Sequence, residues 1–162
     1  MTNICNAATN INTYSDPSSP PASQSTSELG PTVIREILHE TGYPARIEET
    51  DAGWKITSSS NGTSFVIRLD SYDEDSDCYR RILAGAKYES DCDIAWAIKK
   101  MNVFNQSHSH LKGFVEDDGR LTITMNYLLG EHVSSAQVEQ WILLWKAGIT
   151  LFEHYWSEAL AE

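Results

Sequence analysis

Apolar residues recur every three or four positions in three stretches of the chain, the spacing that predicts one buried helix face. The first helix is predicted to open at Gly30-Pro31, where proline suits the first helical position, and to end at Gly42. The second is predicted to follow a Ser90 cap. Its predicted buried stripe consists of Ile94, Ala97, Ile98, Met101 and Phe104 or Asn105.

The third helix has the clearest start and the widest apolar arc. Ser134 and Gln137 form an S-x-x-Q capping box at its beginning. The apolar arc that follows is wider than the helix surface that packing against a sheet would bury. Large apolar patches seldom remain exposed to water. We therefore expect part of this helix to meet a partner. The predicted partner-binding residues are Trp141, Leu144, Trp145, Leu151, Phe152 and Trp156.

Period-two alternation predicts strands in the segments between these helices. Three strands form a meander before the second helix, with Asn61-Gly62 as a hairpin signal. Residues 79–88 are ambiguous, but Gly85 in their middle favours a strand over a helix. Residues 111–116 and 120–128 form a further hairpin. The predicted fold class is α+β: an antiparallel sheet of five to six strands with three helices, ordered α-β-β-β-(β)-α-β-β-α.

Composition divides the chain in two. Residues 1–29 are dominated by Ser, Thr, Asn and Pro, and they hold too few apolar side chains to offset the entropy of ordering. They are predicted to be a disordered tail, and residues 30–162 a single domain. A regulatory role for the tail stays open.

Charge and hydropathy narrow the classes of partner. Twelve basic against 23 acidic residues give a net charge of −11, which disfavours nucleic acid because phosphate backbones are repelled. No apolar run approaches the roughly 20 residues of a membrane span, and the N-terminus has no signal-peptide pattern. We expect a cytoplasmic protein that binds neither nucleic acid nor membrane.

Candidate chemistry is sparse. The acidic segment 70–77 places Asp73, Asp75 and Asp77 like a calcium loop, but it lacks that loop's later glycine and acid. The His108/His110 pair has a spacing that would hold a metal on an extended chain. These two features support an alternative function, a small-molecule or metal-binding sensor. No metal or cofactor motif is complete, so neither ligand is predicted.

Two further groups have the chemistry of candidate catalytic residues. Cys92 lies at a predicted helix start, which would favour its thiolate, but neighbouring Asp91 and Asp93 oppose that form. Asp117 and Asp118 are adjacent carboxylates, yet acids before a glycine are ordinary turn residues. The sequence therefore predicts a protein that is not an enzyme.

Three segments resemble one family. The segment 101–105 resembles the N-x-W-N helix end of the YbjN-like family of bacterial sensory transduction regulators, with Phe104 in place of tryptophan. Residues 112–121 resemble that family's K-A-Y-x-D-D-D-G hairpin, and residues 130–134 resemble its G-G-V-S segment before the last helix. The resemblance implies a fold like that of type III secretion chaperones, an α+β unit that commonly dimerises and binds proteins. No catalytic residues are implied.

Pattern and resemblance together predict a non-enzymatic protein-binding module, chaperone-like or regulatory, that acts as a homodimer with an unidentified protein partner.

Overall fold

The computed structural model describes residues 29–51, 53–73, 78–130 and 133–161. The predicted tail, apart from Leu29, lies outside the described residues. The elements are α1 (Pro31–Glu40), β1 (Ala45–Thr50), β2 (Gly53–Ser60), β3 (Thr63–Asp73), β4 (Cys78–Tyr88), α2 (Ile94–Ser107), β5 (Lys112–Val115), β6 (Leu121–Leu128) and α3 (Ser135–Ala161). Three helices and a six-stranded antiparallel sheet confirm the α+β prediction, and residues 79–88 lie within a strand.

All six strands form one sheet in the order β1-β2-β3-β4-β6-β5. Hairpins connect the first four strands, and the turn between β2 and β3 is the predicted Asn61-Gly62 pair. Both residues have positive φ, 51° and 88°, as a tight hairpin turn of the I′ kind requires. After α2 the chain returns as the hairpin β5–β6, and β6 pairs with β4. The two edge strands are therefore β1 and β5.

Local side chains fix where two helices begin. At α3, the backbone N–H of Gln137 donates to Ser134 Oγ at 3.3 Å, and that of Ser134 donates to Gln137 Oε1 at 2.8 Å. The predicted capping box is confirmed. The cap of α2 is Asp93 and not Ser90, because a carboxylate oxygen of Asp93 accepts the Trp96 N–H at 2.9 Å.

One face of the sheet carries the hydrophobic core. Alternate residues of β2, β3, β4 and β6 point to this face, and α3 supplies the bulkiest side chains packed into the core. Trp145 is completely buried, with its ring edge-on to Phe65 at 6.1 Å between centroids. Phe152 packs against Phe104 of α2 at 5.3 Å in the same geometry. Aromatic contacts thus join α3 to both the sheet and α2.

The orientation of α2 differs from the prediction. Ala97, Met101 and Phe104 are buried, but Ile94 and Ile98 are 45% and 46% exposed. The helix turns its Trp96 side inward instead, where the Trp96 ring meets Trp156 of α3 edge-on at 5.6 Å. The two isoleucines consequently lie at the surface.

Within the described ranges, no helix has both the length and the apolar character that crossing a membrane requires.

Candidate protein-binding surfaces

An exposed apolar strip runs along α3. We call it the leucine seam, and it consists of Leu143, Leu144, Ala147 and Leu151. Leu144 and Leu151 are 48% and 41% exposed, and their spacing of seven residues puts them on the same side of the helix. The side chains that face the core belong to other positions, such as Trp145 and Ile149. The surplus apolar arc expected of this helix is therefore at the surface over about two turns.

The six predicted partner-binding residues are not all at this surface. Trp141, Trp145 and Phe152 are buried in the core of the chain, and Trp156 is half-buried against Trp96 and Phe152. Leu144 and Leu151 are the two that present their side chains to solvent. A pattern of three- and four-residue spacing marks an apolar helix, but it does not tell which side the sheet covers.

The second apolar surface is the side of the sheet opposite the core, here called the uncovered face. Strand alternation places Val66, Leu83, Gly85 and Thr124 on this side. A depression of about 480 Å³ lies over them, and Phe114 of β5, 46% exposed, stands beside it. The described helices all pack on the other face, so these residues meet no helix.

An asparagine closes the outer edge of β5. The Asn105 Nδ2 donates to the Gly113 carbonyl oxygen at 2.7 Å, and the Gly113 N–H donates to Asn105 Oδ1 at 2.7 Å. One side chain thus occupies both backbone groups that a neighbouring strand would use. Glycine at position 113 allows α2 to pack this closely on β5, because a Cβ there would lie 2.1 Å from Met101 Sδ. Asn105 of α2 therefore blocks strand addition at Gly113, in the middle of this edge.

Beyond the short strand β5, a cleft of about 590 Å³ opens between β6 and the start of α3. Its polar lining includes His110, Lys112 and Gln140, and its apolar lining includes Trp141 and Leu144. The leucine seam therefore begins at the rim of this cleft.

The acidic segment 70–77 is partly outside the described residues, because residues 74–77 are not described. Asp70 pairs with Arg81, and Asp73 pairs with Arg80 at 2.5 Å. The hydrogen bond from Arg81 lowers the pKa of Asp70, which keeps this carboxyl ionised. These two acids are thus engaged by cations of the neighbouring strand β4.

The other candidate groups do not converge. His108 Nδ1 lies 2.9 Å from the Phe104 carbonyl oxygen, and the ring stacks on Phe104 at 4.3 Å, while His110 faces the cleft. Cys92 is half-buried against the core before α2. Among the described residues, no three His, Cys, Asp or Glu side chains come close enough to hold a metal ion.

The adjacent carboxylates Asp117 and Asp118 belong to the β5–β6 turn, as the sequence indicates. Asp118 binds the Arg120 guanidinium at 2.6 Å and also accepts the Arg120 backbone N–H at 3.2 Å. The arginine lowers the pKa of Asp118, so this carboxyl is an anion that fixes the turn.

Sequence reasoning identified neither the residues of the uncovered face nor the Asn105 clamp. A signal for the face was present in β3, where apolar residues occupy consecutive positions from Phe65 to Ile67 and leave one, Val66, on the side away from the core. The clamp has no comparable signal, because its partner is the backbone of a glycine eight residues away.

Comparisons with known proteins agree with this architecture. The model of the YbjN family, described as "putative bacterial sensory transduction regulator", matches residues 31–155. No curated protein matches the chain. The crystal structure of YbjN from E. coli, described as a putative transcription regulator, superposes with a TM-score of 0.50 and 18% identity; 80% of this chain and 87% of that one are covered. The Yersinia pestis type III secretion chaperone SycH, in complex with a stable fragment of YscM2, gives 0.46 and 12%, covering 78% and 96%.

Proposed function

Because the chain belongs to the YbjN family, we propose that it is a protein-binding module, chaperone-like or regulatory, that acts as a homodimer and carries no catalytic activity. We expect it to work in the cytoplasm with a protein partner that is not yet identified, as its composition and charge predict.

The observation that carries this proposal is the leucine seam on α3. A second copy of the chain is the occupant we assign to it, since a two-fold dimer uses the same patch on both subunits and an apolar seam is self-complementary. Helix α3 is long enough, 27 residues, for two copies to cross along the seam.

The mass of the full chain in solution tests the homodimer. Multi-angle light scattering at about 50 μM is expected to give twice the 18.2 kDa chain mass. Leu144→Glu/Leu151→Glu should shift the mass to that of one chain, because burying two carboxylates in an apolar interface is costly. A mass of one chain for the wild type would refute the homodimer.

Two double variants control this experiment. Asn102→Glu/Gln106→Glu adds the same charge at two exposed positions of α2, away from the leucine seam, and it should leave the dimer intact. Ile94→Glu/Ile98→Glu alters the exposed apolar pair of α2. If Ile94→Glu/Ile98→Glu dissociates the dimer and Leu144→Glu/Leu151→Glu does not, the assignment of the seam is wrong.

A further inference from the structure

A row of uncharged side chains crosses the uncovered face at right angles to the strands. Thr57, Val66, Gly85 and Thr124 are successive cross-strand partners in β2, β3, β4 and β6. We call this row the trough, and at the spacing of neighbouring strands it is about 14 Å long. Its centre is Gly85, where no side chain rises from the sheet.

The glycine at the centre is not required by the chain itself. Its φ lies outside the left-handed region, and a Cβ built on it would meet only the Ile123 carbonyl oxygen and the Thr124 methyl group, both at the ordinary distance of 3.8 Å. The register on both sides is continuous, so there is no bulge. Glycine inside a strand weakens it, and it commonly marks a place where another group approaches the backbone closely.

The charge of the uncovered face is opposite to that of the whole chain. Among the described residues of this face, six of the chain's 12 basic residues stand against three carboxylates, an excess of three positive charges, whereas the whole chain has a net charge of −11. They are Arg46, Lys55, Arg68, Arg81, Lys87 and Lys112, with Glu48, Asp70 and Glu116. Lys55 and Arg68 are cross-strand partners in the row next to the trough.

On the basis of the proposed protein-binding function, we propose that the trough binds an acidic segment of a partner protein. An apolar side chain of that segment sits over Gly85, and its carboxylates lie beside Arg68 and beside Lys55, which also binds Glu48 of the chain itself at 3.2 Å. Opposite charges around an apolar centre give both orientation and specificity.

A protein segment suits this surface better than a nucleic acid. A polynucleotide carries regularly spaced phosphates beyond the 14 Å of the trough, at about 3.4 Å per nucleotide along each strand, and these would extend over the acidic remainder of the chain. Single strands are also held by stacked aromatic rings, whereas only one of the two phenylalanines that line the depression, Phe114, is exposed.

Designed peptides test the proposal with the full chain. Three fluorescent peptides of about twelve residues, longer than the trough in helical or extended form, alternate Leu with Glu, Lys or Gln. We expect the Glu peptide alone to raise the fluorescence anisotropy, and high salt to weaken that binding. Amide shifts in the NMR spectrum should be concentrated at Val66, Gly85 and Thr124.

Two variants and two matched controls locate the binding. Gly85→Val fills the trough and Arg68→Glu reverses a rim charge, and each should weaken binding of the Glu peptide about tenfold or more. Gly130→Val, at an exposed glycine in open space, and Lys99→Glu, at an exposed position of α2, should leave it unchanged. The melting temperature of Gly85→Val should equal or exceed that of the wild type. Weaker peptide binding would then result from the filled trough and not from misfolding of the variant.

Three outcomes would overturn the proposal: no binding of the Glu peptide, equal binding by all four variants, or tighter binding of an oligothymidine that depends on Arg68. The homodimer is tested separately, because the Leu144→Glu/Leu151→Glu variant should still bind the Glu peptide. If the protein is a dimer but does not bind the Glu peptide, the proposed function stands and only the acidic-segment site is refuted.

Discussion

Removing the Asn105 side chain should loosen the β5 edge of the sheet by an amount that the structure sets. The Asn105→Ala variant loses two hydrogen bonds of 2.7 Å to Gly113. At about 1 kcal/mol net for each bond, the free energy of unfolding should fall by about 2 kcal/mol. Alanine forms helices better than asparagine, so the substitution also raises the free energy of unfolding by up to about 0.7 kcal/mol, which partly masks this loss.

A control on the same helix removes the masking term. Asn102 is exposed, so Asn102→Ala gains the helix propensity without losing the clamp. The difference between the two variants should therefore be about 2 kcal/mol, and in urea this separates the unfolding midpoints by about 1 M. Hydrogen exchange at the Gly113 amide should also quicken in Asn105→Ala, because its acceptor is gone.

A small difference would refute this reasoning. If the two variants unfold within about 0.5 kcal/mol of each other, the clamp contributes no more than an ordinary surface contact. Unchanged exchange at the Gly113 amide would show that water replaces the amide without cost, and the Asn105 side chain would then have no structural role at the edge.

Three further predictions concern packing and pH. Gly113→Ala should destabilise the fold by about 1–3 kcal/mol in urea titrations, because its Cβ would lie 2.1 Å from Met101 Sδ. Trp145→Ala should cost about 3–5 kcal/mol or prevent folding, as monitored by circular dichroism, since the ring is completely buried. The hydrogen bond from Lys87 lowers the pKa of Glu116 below its ordinary 4.5. A carboxyl with a lowered pKa stabilises the fold above its unfolded pKa, and this stability is lost as pH falls. Glu116→Gln should therefore lose less stability than the wild type between pH 6 and pH 3.5; an equal loss would show that Glu116 is not responsible.

Sequence reasoning succeeded where a feature is decided by neighbours in the chain. The Asn61-Gly62 turn and the Ser134 capping box each depend on a few adjacent residues, and both are confirmed. The central strand β4 also followed from local features, the glycine and the turn-like segments around it. Local chemistry was therefore sufficient for the order of helices and strands.

Sequence reasoning failed where the burial of a side chain depends on packing between elements that are distant in the chain. Ile98 has the spacing of a core residue. The larger apolar side chain of Trp96 packs against α3 instead, and this orientation of α2 leaves Ile98 exposed. Trp145 and Leu144 are adjacent and both apolar, and only the position of the sheet decides that the first is buried. The surface residues of an apolar helix therefore could not be separated from its core residues in advance.

The opposite edge of the sheet, at β1, has its own protection. The Ala45 backbone N–H donates to His39 Nε2 at 3.2 Å, and Glu48 and Glu49 stand exposed along the rest of the strand. A second β1 aligned in parallel and in register would bring Glu48 against Glu48 and Glu49 against Glu49. With a histidine and two acids at one edge and an amide at the other, parallel in-register stacking of copies, the arrangement that lengthens a sheet into a fibre, is disfavoured at both edges.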